Sequence, residues 1–197
     1  MALIVRGVGR VARGRFLCAA LFAAFALGGL AAPAQAQLQM NAHRRHGVFF
    51  SLGFGGGWNL TKNVNDETQA GFAGYLRAGG TLNPHFTLGG EAQWWYSDVA
   101  DDVSLSRGNL TLVGQYYPSL DLGGFVKLGI GVAGAQLITA GGSQSTWESG
   151  AGVTAGVGWD VPVGQKISLT ANADFLFQRV ADINNTLLLF TLGVTFP

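Results

Sequence analysis

The amino-acid sequence predicts an all-β protein, an eight-stranded antiparallel up-and-down transmembrane β-barrel. Three observations lead to this prediction. Beyond an N-terminal segment of different composition, eight stretches alternate between apolar and polar residues with period two, which indicates half-buried strands. One face of these stretches carries large apolar side chains, and the other is rich in glycine, serine, threonine and asparagine. Aromatic residues gather near the ends of the predicted strands.

The first 36 residues are set apart by their composition. Four arginines and no acidic residue fall within the first 15 positions, and the apolar run Phe16–Ala32 follows. Pro33 and the small-residue site ending at Ala36 come next. This layout is typical of a secretory signal, so we expect cleavage after Ala36. The alternative is a retained anchor helix, because an apolar run of about 17 residues is at the short limit for crossing a bilayer.

Cleavage would change the charge of the chain. All 11 acidic residues lie beyond Ala36, whereas four of the 12 basic residues would leave with the signal. Eight basic against 11 acidic residues give the mature chain a net charge of −3. This balance argues against a nucleic-acid partner, which requires a basic face. The single cysteine, Cys18, would also leave, so no disulfide is expected.

The alternation is clear in the first stretch, where Val48, Phe50 and Leu52 share one face and Ser51 and Gly53 the other. The eight stretches are residues 47–59, 71–81, 86–97, 103–117, 126–133, 153–160, 167–178 and 186–197. A soluble barrel would turn its apolar face inward. Here the small polar face suits a narrow interior, and the apolar face suits contact with lipid. A closed barrel pairs every backbone group within the chain, as a lipid environment requires.

The connections between the stretches fall into two classes. The first class consists of short turns: Asn83–His85, Ser119–Gly123 and Pro162–Gln165. The second class is polar and mostly longer: Asn59–Ala70, Asp98–Asp102, Ile138–Glu148 and Arg179–Asn185. Short turns at one end and long polar loops at the other are typical of outer-membrane barrels, whose turns face the periplasm.

Aromatic residues are predicted to lie at both lipid–water interfaces. At the loop ends these are Trp58, Trp94, Trp95, Tyr96 and Trp147, and at the turn ends Tyr116, Trp159 and Phe196. Two such bands are what the interfaces of a membrane barrel select for.

From Gly47 to Pro197 the chain resembles the small outer-membrane β-barrel superfamily, the group of the OmpA membrane domain, OmpX and OmpW. The resemblance rests on the strand–turn pattern, the strand Phe125–Gly131 and the ending Leu192–Phe196. It implies that Gly193, Val194 and Phe196 belong to an assembly signal for the barrel-assembly machinery. It also implies outer-membrane lipids and lipopolysaccharide as partners. One departure is that Pro197 follows the aromatic residue on which the family usually ends. Residues 37–46 are predicted to form a short basic arm before the barrel.

Six charged residues fall on the polar face of their strands and are predicted to point into the barrel: Arg77, Glu91, Arg107, Lys127, Asp160 and Asp174. Pairing about Pro84 places Arg77 opposite Glu91. The next turn would bring Glu91 opposite Asn109, diagonal to Arg107. Lys127 and Asp160 are predicted to lie on adjacent strands at a similar height.

These charges predict a structural network that plugs the lumen. An unpaired charge would bear a heavy desolvation cost there, and eight strands leave an interior barely wide enough for its own side chains. The predicted function is therefore that of a non-enzymatic outer-membrane β-barrel with a structural or surface-interaction role. Two alternatives stay open: a narrow porin-like channel for ions or small solutes, and a lipid-modifying outer-membrane enzyme.

Other motifs do not change this interpretation. Gly129–Gly134 matches G-x-G-x-x-G, but no helical pattern follows it, as a dinucleotide site requires. His43 and His46 are too few for a zinc site, which has three or four ligands. An enzyme would need a catalytic set at the loop end, whereas the histidines fall at the turn end. The sequence therefore predicts no cofactor, metal site or catalytic residue, and it identifies no extracellular ligand.

Overall fold

A computed structural model describes residues 47–61, 68–100, 103–139, 146–163, 166–181 and 183–196. All of them belong to one compact unit, Gln37–Pro197. The predicted signal and basic arm lie outside the described residues, as does Pro197.

Eight strands follow one another along the chain. They are β1 (Val48–Asn59), β2 (Gln69–Asn83), β3 (Phe86–Ala100), β4 (Val103–Tyr116), β5 (Gly124–Thr139), β6 (Thr146–Pro162), β7 (Ser168–Val180) and β8 (Ile183–Phe196). Each strand has 12 to 17 residues, which is more than the about 9–11 that a tilted strand needs to cross a bilayer. No helix in the described part of the chain is long and apolar enough to span a membrane.

The strands pair antiparallel in sequence order, and β1 pairs with β8, so the sheet closes into a barrel. A path that starts at Phe49 on β1 and passes from each residue to its register partner on the next strand returns to β1 at Asn59. The barrel therefore has a stagger of ten residues. A staggered closed sheet requires strands tilted to the barrel axis. Closure leaves no unpaired strand edge. The predicted fold class is confirmed.

Side chains alternate between the two faces of the barrel wall, as the period-two pattern predicts. On β5, Leu128 and Ile130 lie on the outside and are 62% and 68% exposed, whereas Lys127, the residue directly before Leu128, is buried inside. Large apolar side chains cover the outside of all eight strands. A soluble monomer rarely exposes so continuous an apolar surface, so this exterior suits a lipid surrounding.

Two connections at the loop end are shorter than the sequence suggested. The β3 strand continues to Ala100 and β4 begins at Val103, so only two residues join them. Likewise β7 ends at Val180 and β8 begins at Ile183, and Ala181 takes a positive φ of 48°. Two-residue hairpin turns commonly need such an angle. Polar residues in these two segments therefore extend the strands beyond the apolar band instead of forming long loops.

The predicted interface aromatics divide into four groups. Five lie on the outside and are about 40–50% exposed: Trp58, Tyr96, Tyr116, Trp159 and Phe196. Trp94 is half-buried and packs edge-on against Phe54. The prediction for Trp95 is wrong, because its side chain points into the barrel and is fully buried. Trp147 lies in β6, but its side chain is outside the described part of the structure.

Candidate functional site

Four charged side chains meet inside the barrel. Nη2 of Arg77 donates to Oε1 of Glu91 at 2.8 Å, and Nζ of Lys127 donates to the same oxygen at 2.7 Å. Lys127 also reaches Oδ2 of Asp174 at 2.9 Å. All four side chains are almost completely buried. Two cations and two anions thus form a neutral cluster, which includes the predicted Arg77–Glu91 pair.

This ionic cluster crosses the lumen. Glu91 on β3 and Asp174 on β7 are both held by Lys127 on β5, and none of these strands neighbours another in the barrel. Arg77 on β2 also donates to Oδ1 of Asn172 on β7 at 3.2 Å. Contacts between strands that are not adjacent in the wall must pass through the interior, so these side chains occupy the space that a pore would need.

Amide and hydroxyl groups extend the cluster toward the loop end. Gln93 donates to Asp174 at 2.9 Å and accepts from Thr154 at 2.9 Å. Gln178 donates to Oδ1 of Asn109 at 2.8 Å, again between non-adjacent strands. These neutral groups hold the charged side chains in place, as a buried polar network requires.

A second set of hydrogen bonds follows the wall toward the turn end. It joins Tyr75, Ser51, Thr195, Thr170, Asp160 and Tyr117 in that order, at 2.7–3.0 Å. Oδ1 of Asp160 accepts from Thr170, and Oδ2 accepts from the hydroxyl of Tyr117. Tyr75 connects this set to the ionic cluster, because the guanidinium of Arg77 lies 5.0 Å from the centre of its ring.

On the loop side of the ionic cluster, apolar side chains share the lumen with the amide groups of Gln178 and Asn109. Five buried side chains pack together there: Ala73, Trp95, Leu176, Leu187 and Leu189. We call this group the apolar layer. Leu105 packs against it, and Nε1 of Trp95 donates to the backbone oxygen of Gly57 at 3.1 Å. The indole thus satisfies its one polar group while its rings fill the lumen.

Two of the predicted lumen contacts are wrong. Glu91 lies opposite Thr111, not Asn109, because the β3–β4 hairpin turns later in the chain than the predicted pairing requires, with Ala100 opposite Val103. Arg107 is therefore four residues from the partner of Glu91 and does not join the cluster.

The predicted Lys127–Asp160 neighbourhood is also wrong. Lys127 lies opposite Gly156, and its side chain bonds to Glu91 and Asp174. Asp160 lies nearer the turn end, where it accepts hydrogen bonds from Tyr117 and Thr170. The six predicted lumen charges consequently divide into a cluster of four and two side chains at other heights.

The sequence interpretation missed the apolar layer. Trp95, Leu176, Leu187 and Leu189 interrupt the small and polar character of the inward face, each beside an outward apolar residue. An apolar pair such as Leu187–Leu188 carries no period-two signal of its own. Because side chains alternate along a strand, counting in steps of two from Thr191 on β8 and from Asp174 on β7 places Leu187, Leu189 and Leu176 inside the barrel.

Among the described residues, no group of three or more His, Cys, Asp or Glu side chains is placed to hold a metal ion. The ring of His85 lies in the β2–β3 turn, where Nδ1 contacts the backbone oxygen of Tyr117 at 2.7 Å. Gly193, Val194 and Phe196 lie in β8 opposite Gly53, Leu52 and Phe50, at the seam that closes the barrel.

Comparison with known proteins finds the fold but no sequence family. No family model matches the chain, and no curated protein matches it. Among solved structures, the Neisserial surface protein A superposes with a TM-score of 0.58 at 13% identity, covering 76% of this chain and 96% of the other. The attachment invasion locus protein Ail of Yersinia pestis gives 0.54 at 14% identity, covering 77% and 98%. The chain has the fold of the small outer-membrane β-barrels. At such identities the likeness concerns the fold alone.

Proposed function

We propose that the mature chain is an outer-membrane protein whose barrel is a sealed, non-conducting scaffold and whose role lies in structure or in interactions at the cell surface. The observation that carries this proposal is the filling of the lumen. Side chains from non-adjacent strands bond across it at the ionic cluster, and the apolar layer fills it again above.

The proposed location follows from the exterior. A band of large apolar side chains surrounds the barrel, with aromatic residues near both of its edges, as in proteins that cross the outer membrane. The proposed export requires the N-terminal segment to act as a cleaved signal. In this arrangement lipids and lipopolysaccharide surround the band, the seam strand β8 engages the barrel-assembly machinery, and the loop end faces outward.

A surface role is in keeping with the two similar structures. One is a surface protein and the other an attachment invasion locus protein, by their own descriptions. We propose by analogy that the loop end of this chain makes contacts outside the cell.

We also propose that the chain is not an enzyme. A hydrolytic site needs a nucleophile with a base in reach, usually at the accessible end of the barrel. His85, the histidine within the described residues, lies instead at the turn end and contacts a backbone oxygen. The buried carboxylates of Glu91 and Asp174 bind cationic side chains and lie beneath the apolar layer.

Two features oppose ion flow. The interior of an eight-stranded barrel is just wide enough for its own side chains, and here those side chains are bonded to one another. An apolar constriction also excludes water and thereby blocks ions. The alternative of a narrow channel would require both the ionic cluster and the apolar layer to rearrange.

Single-channel recording tests the proposal. The mature protein, refolded and shown to be folded by its heat-modifiable migration on gels, is incorporated into a planar lipid bilayer. We expect no discrete conductance steps. Reproducible steps whose ion selectivity changes in Glu91→Gln would instead identify a channel lined by this carboxylate and would overturn the sealed-barrel proposal.

A further inference from the structure

Arg107 differs from every other charged residue inside the barrel. It lies on β4 between its register partners Trp95 and Ala135, on the loop side of the ionic cluster. Its Nε and Nη1 atoms are buried and have no hydrogen-bond partner. Among the described residues, the ion pairs inside the barrel involve Arg77 and Lys127 but not Arg107.

Among the described residues, no side chain bonds to these two donors; Gln178, whose amide group donates to the backbone oxygen of Gly108 beside Arg107, itself keeps a buried Oε1 atom without a hydrogen-bond partner. Asn109, the next inward residue on β4, already uses Oδ1 to accept from Gln178. On the neighbouring strand β5, the inward residues at this height are Ala133 and Ala135, which have no polar side-chain atom. Trp95 contributes an aromatic ring, and its one polar group is bonded to Gly57.

The anions of the ionic cluster do not neutralise Arg107. Glu91 lies on β3 four residues nearer the turn end than Trp95, the register partner of Arg107, and it is occupied by Arg77 and Lys127. Glu148 lies two strands away, opposite Ala135, with an exposed side chain. Burying cationic donors without a partner is unfavourable. Glu91 neutralises Arg77, whereas Arg107 is half-buried, with Nε and Nη1 buried and without a partner.

We propose that Arg107 is the centre of an anion-binding site at the loop end of the barrel, open to an oxyanion such as a phosphate, sulfate or carboxylate group. A guanidinium presents parallel N–H donors that match two oxygens of such a group. The apolar layer and the Asn109–Gln178 pair form the floor of the site, so the anion enters from the loop side and stops above them. The phosphate form has two sources, a dissolved ion and a lipid headgroup. This inference goes beyond the proposed function and does not depend on whether the lumen conducts.

NMR of the arginine Nε–Hε groups tests the inference directly on the unmodified protein. The mature chain, labelled with 15N-arginine, is refolded in zwitterionic detergent and titrated with inorganic phosphate. We expect the Hε signal of Arg107 to shift saturably. The Hε signal of Arg77 should stay in place, because its guanidinium is held through Nη2 by Glu91 and Asn172 beneath the site. A shift with dissolved phosphate identifies the free ion as ligand. A shift seen only in nanodiscs that contain phosphatidylglycerol identifies the headgroup phosphate.

Variants assign the binding to this residue. Arg107→Gln should weaken phosphate binding about tenfold or more, because it removes the charge and the charge-assisted hydrogen bonds. Arg107→Lys, which keeps the charge but loses the paired donors, should weaken it less. Arg179→Gln changes another arginine at the same end of the barrel, on its outer face, and should leave binding unchanged.

Two results would overturn the inference. One is an Arg107 signal that responds neither to phosphate nor to phosphatidylglycerol. The other is phosphate binding that appears only in Glu148→Gln, since that would show Glu148 to be the counter-ion of Arg107 in solution.

Discussion

The interior of the barrel contains a charged half and an apolar half, and the two exclude water by different means. In the charged half, Arg77, Glu91, Lys127 and Asp174 fill the lumen through directed bonds of 2.7–2.9 Å. In the apolar layer, Trp95, Leu176, Leu187 and Leu189 fill it by volume, with one hydrogen bond from the indole.

This difference determines how each half responds to damage. A buried ionic cluster depends on every member, because removal of one leaves its partners charged and desolvated. An apolar layer depends on packing, so loss of one side chain costs its transfer free energy and the cavity that remains. In the charged half, a substitution should therefore lower stability by leaving a charge unpaired, and removal of the partner charge should restore part of the stability. In the apolar half, no second truncation should restore the stability that the first one loses.

Removal of Glu91 should have the largest effect. Its Oε1 atom accepts from both Arg77 and Lys127, so Glu91→Ala leaves two buried cations with Asp174 alone. We expect the free energy of unfolding to fall by about 3–5 kcal/mol, the usual cost of breaking a buried pair from one side. Reversible urea unfolding in lipid vesicles measures this change.

Two further variants show whether the loss is electrostatic. Arg77→Ala combined with Glu91→Ala should recover part of the loss, with a coupling energy of about 0.5–3 kcal/mol. Glu148→Gln, which removes an exposed carboxylate from β6, should change stability by less than about 0.5 kcal/mol. Strict additivity of the two alanine changes would contradict the view that the cluster acts as a unit.

Truncation within the apolar layer should come next in size. Leu187→Ala removes a fully buried side chain and leaves a cavity among rigid neighbours, which costs about 2–5 kcal/mol. Leu188, the next residue of β8, faces outward opposite Trp58, where lipid chains close any gap. Leu188→Ala should therefore cost less, because the cavity term is absent. The same unfolding measurement compares the two variants, and equal losses would mean that the inner site collapses around the smaller side chain.

The sequence predicted the fold and the Arg77–Glu91 pair, and one physical reason explains both. Alternation fixes which face each residue occupies, and a turn centred on Pro84 fixes the partner of Arg77 as Glu91. Both are properties of one strand or one hairpin. The contacts of Lys127 with Glu91 and Asp174 instead join strands that are not neighbours, and they depend on the stagger of the closed barrel. That stagger depends on eight registers together, which no local pattern provides.

The same limit explains the errors at the loop end. The predicted β3–β4 register is wrong because the turn lies later in the chain than that pairing requires, with Ala100 opposite Val103, and polar residues on both sides of the turn give no signal for its centre. Tryptophan is common at the lipid interface, and this residue preference predicted an outward Trp95. However, Trp95 is two residues from Gln93 and four from Glu91, so it shares their inward face. Residue type and residue parity disagreed at this position, and parity proved correct.

The turn end of the interior offers the smallest predicted effect and the sharpest control. The hydroxyl of Tyr117 donates to Asp160 at 2.9 Å, and Thr170 donates to the other carboxylate oxygen at 2.7 Å. Tyr117→Phe keeps the ring, which packs 5.2 Å from that of Phe125, and removes one hydrogen bond to a charged group. Such a bond contributes about 1.5–3 kcal/mol, and a value near the lower end is expected because Asp160 keeps Thr170.

The adjacent tyrosine provides the matched control for this change. Tyr116 is 47% exposed on the outer face, so Tyr116→Phe removes a hydroxyl of the same kind without touching the interior. Unfolding in lipid vesicles should separate the two variants by about 1.5 kcal/mol. Such a difference would show that hydroxyl groups along the wall also stabilise the interior, in addition to the ionic cluster and the apolar layer. Indistinguishable variants would mean that the Tyr117–Asp160 bond adds nothing to the stability of the barrel, and that water serves the carboxylate equally well.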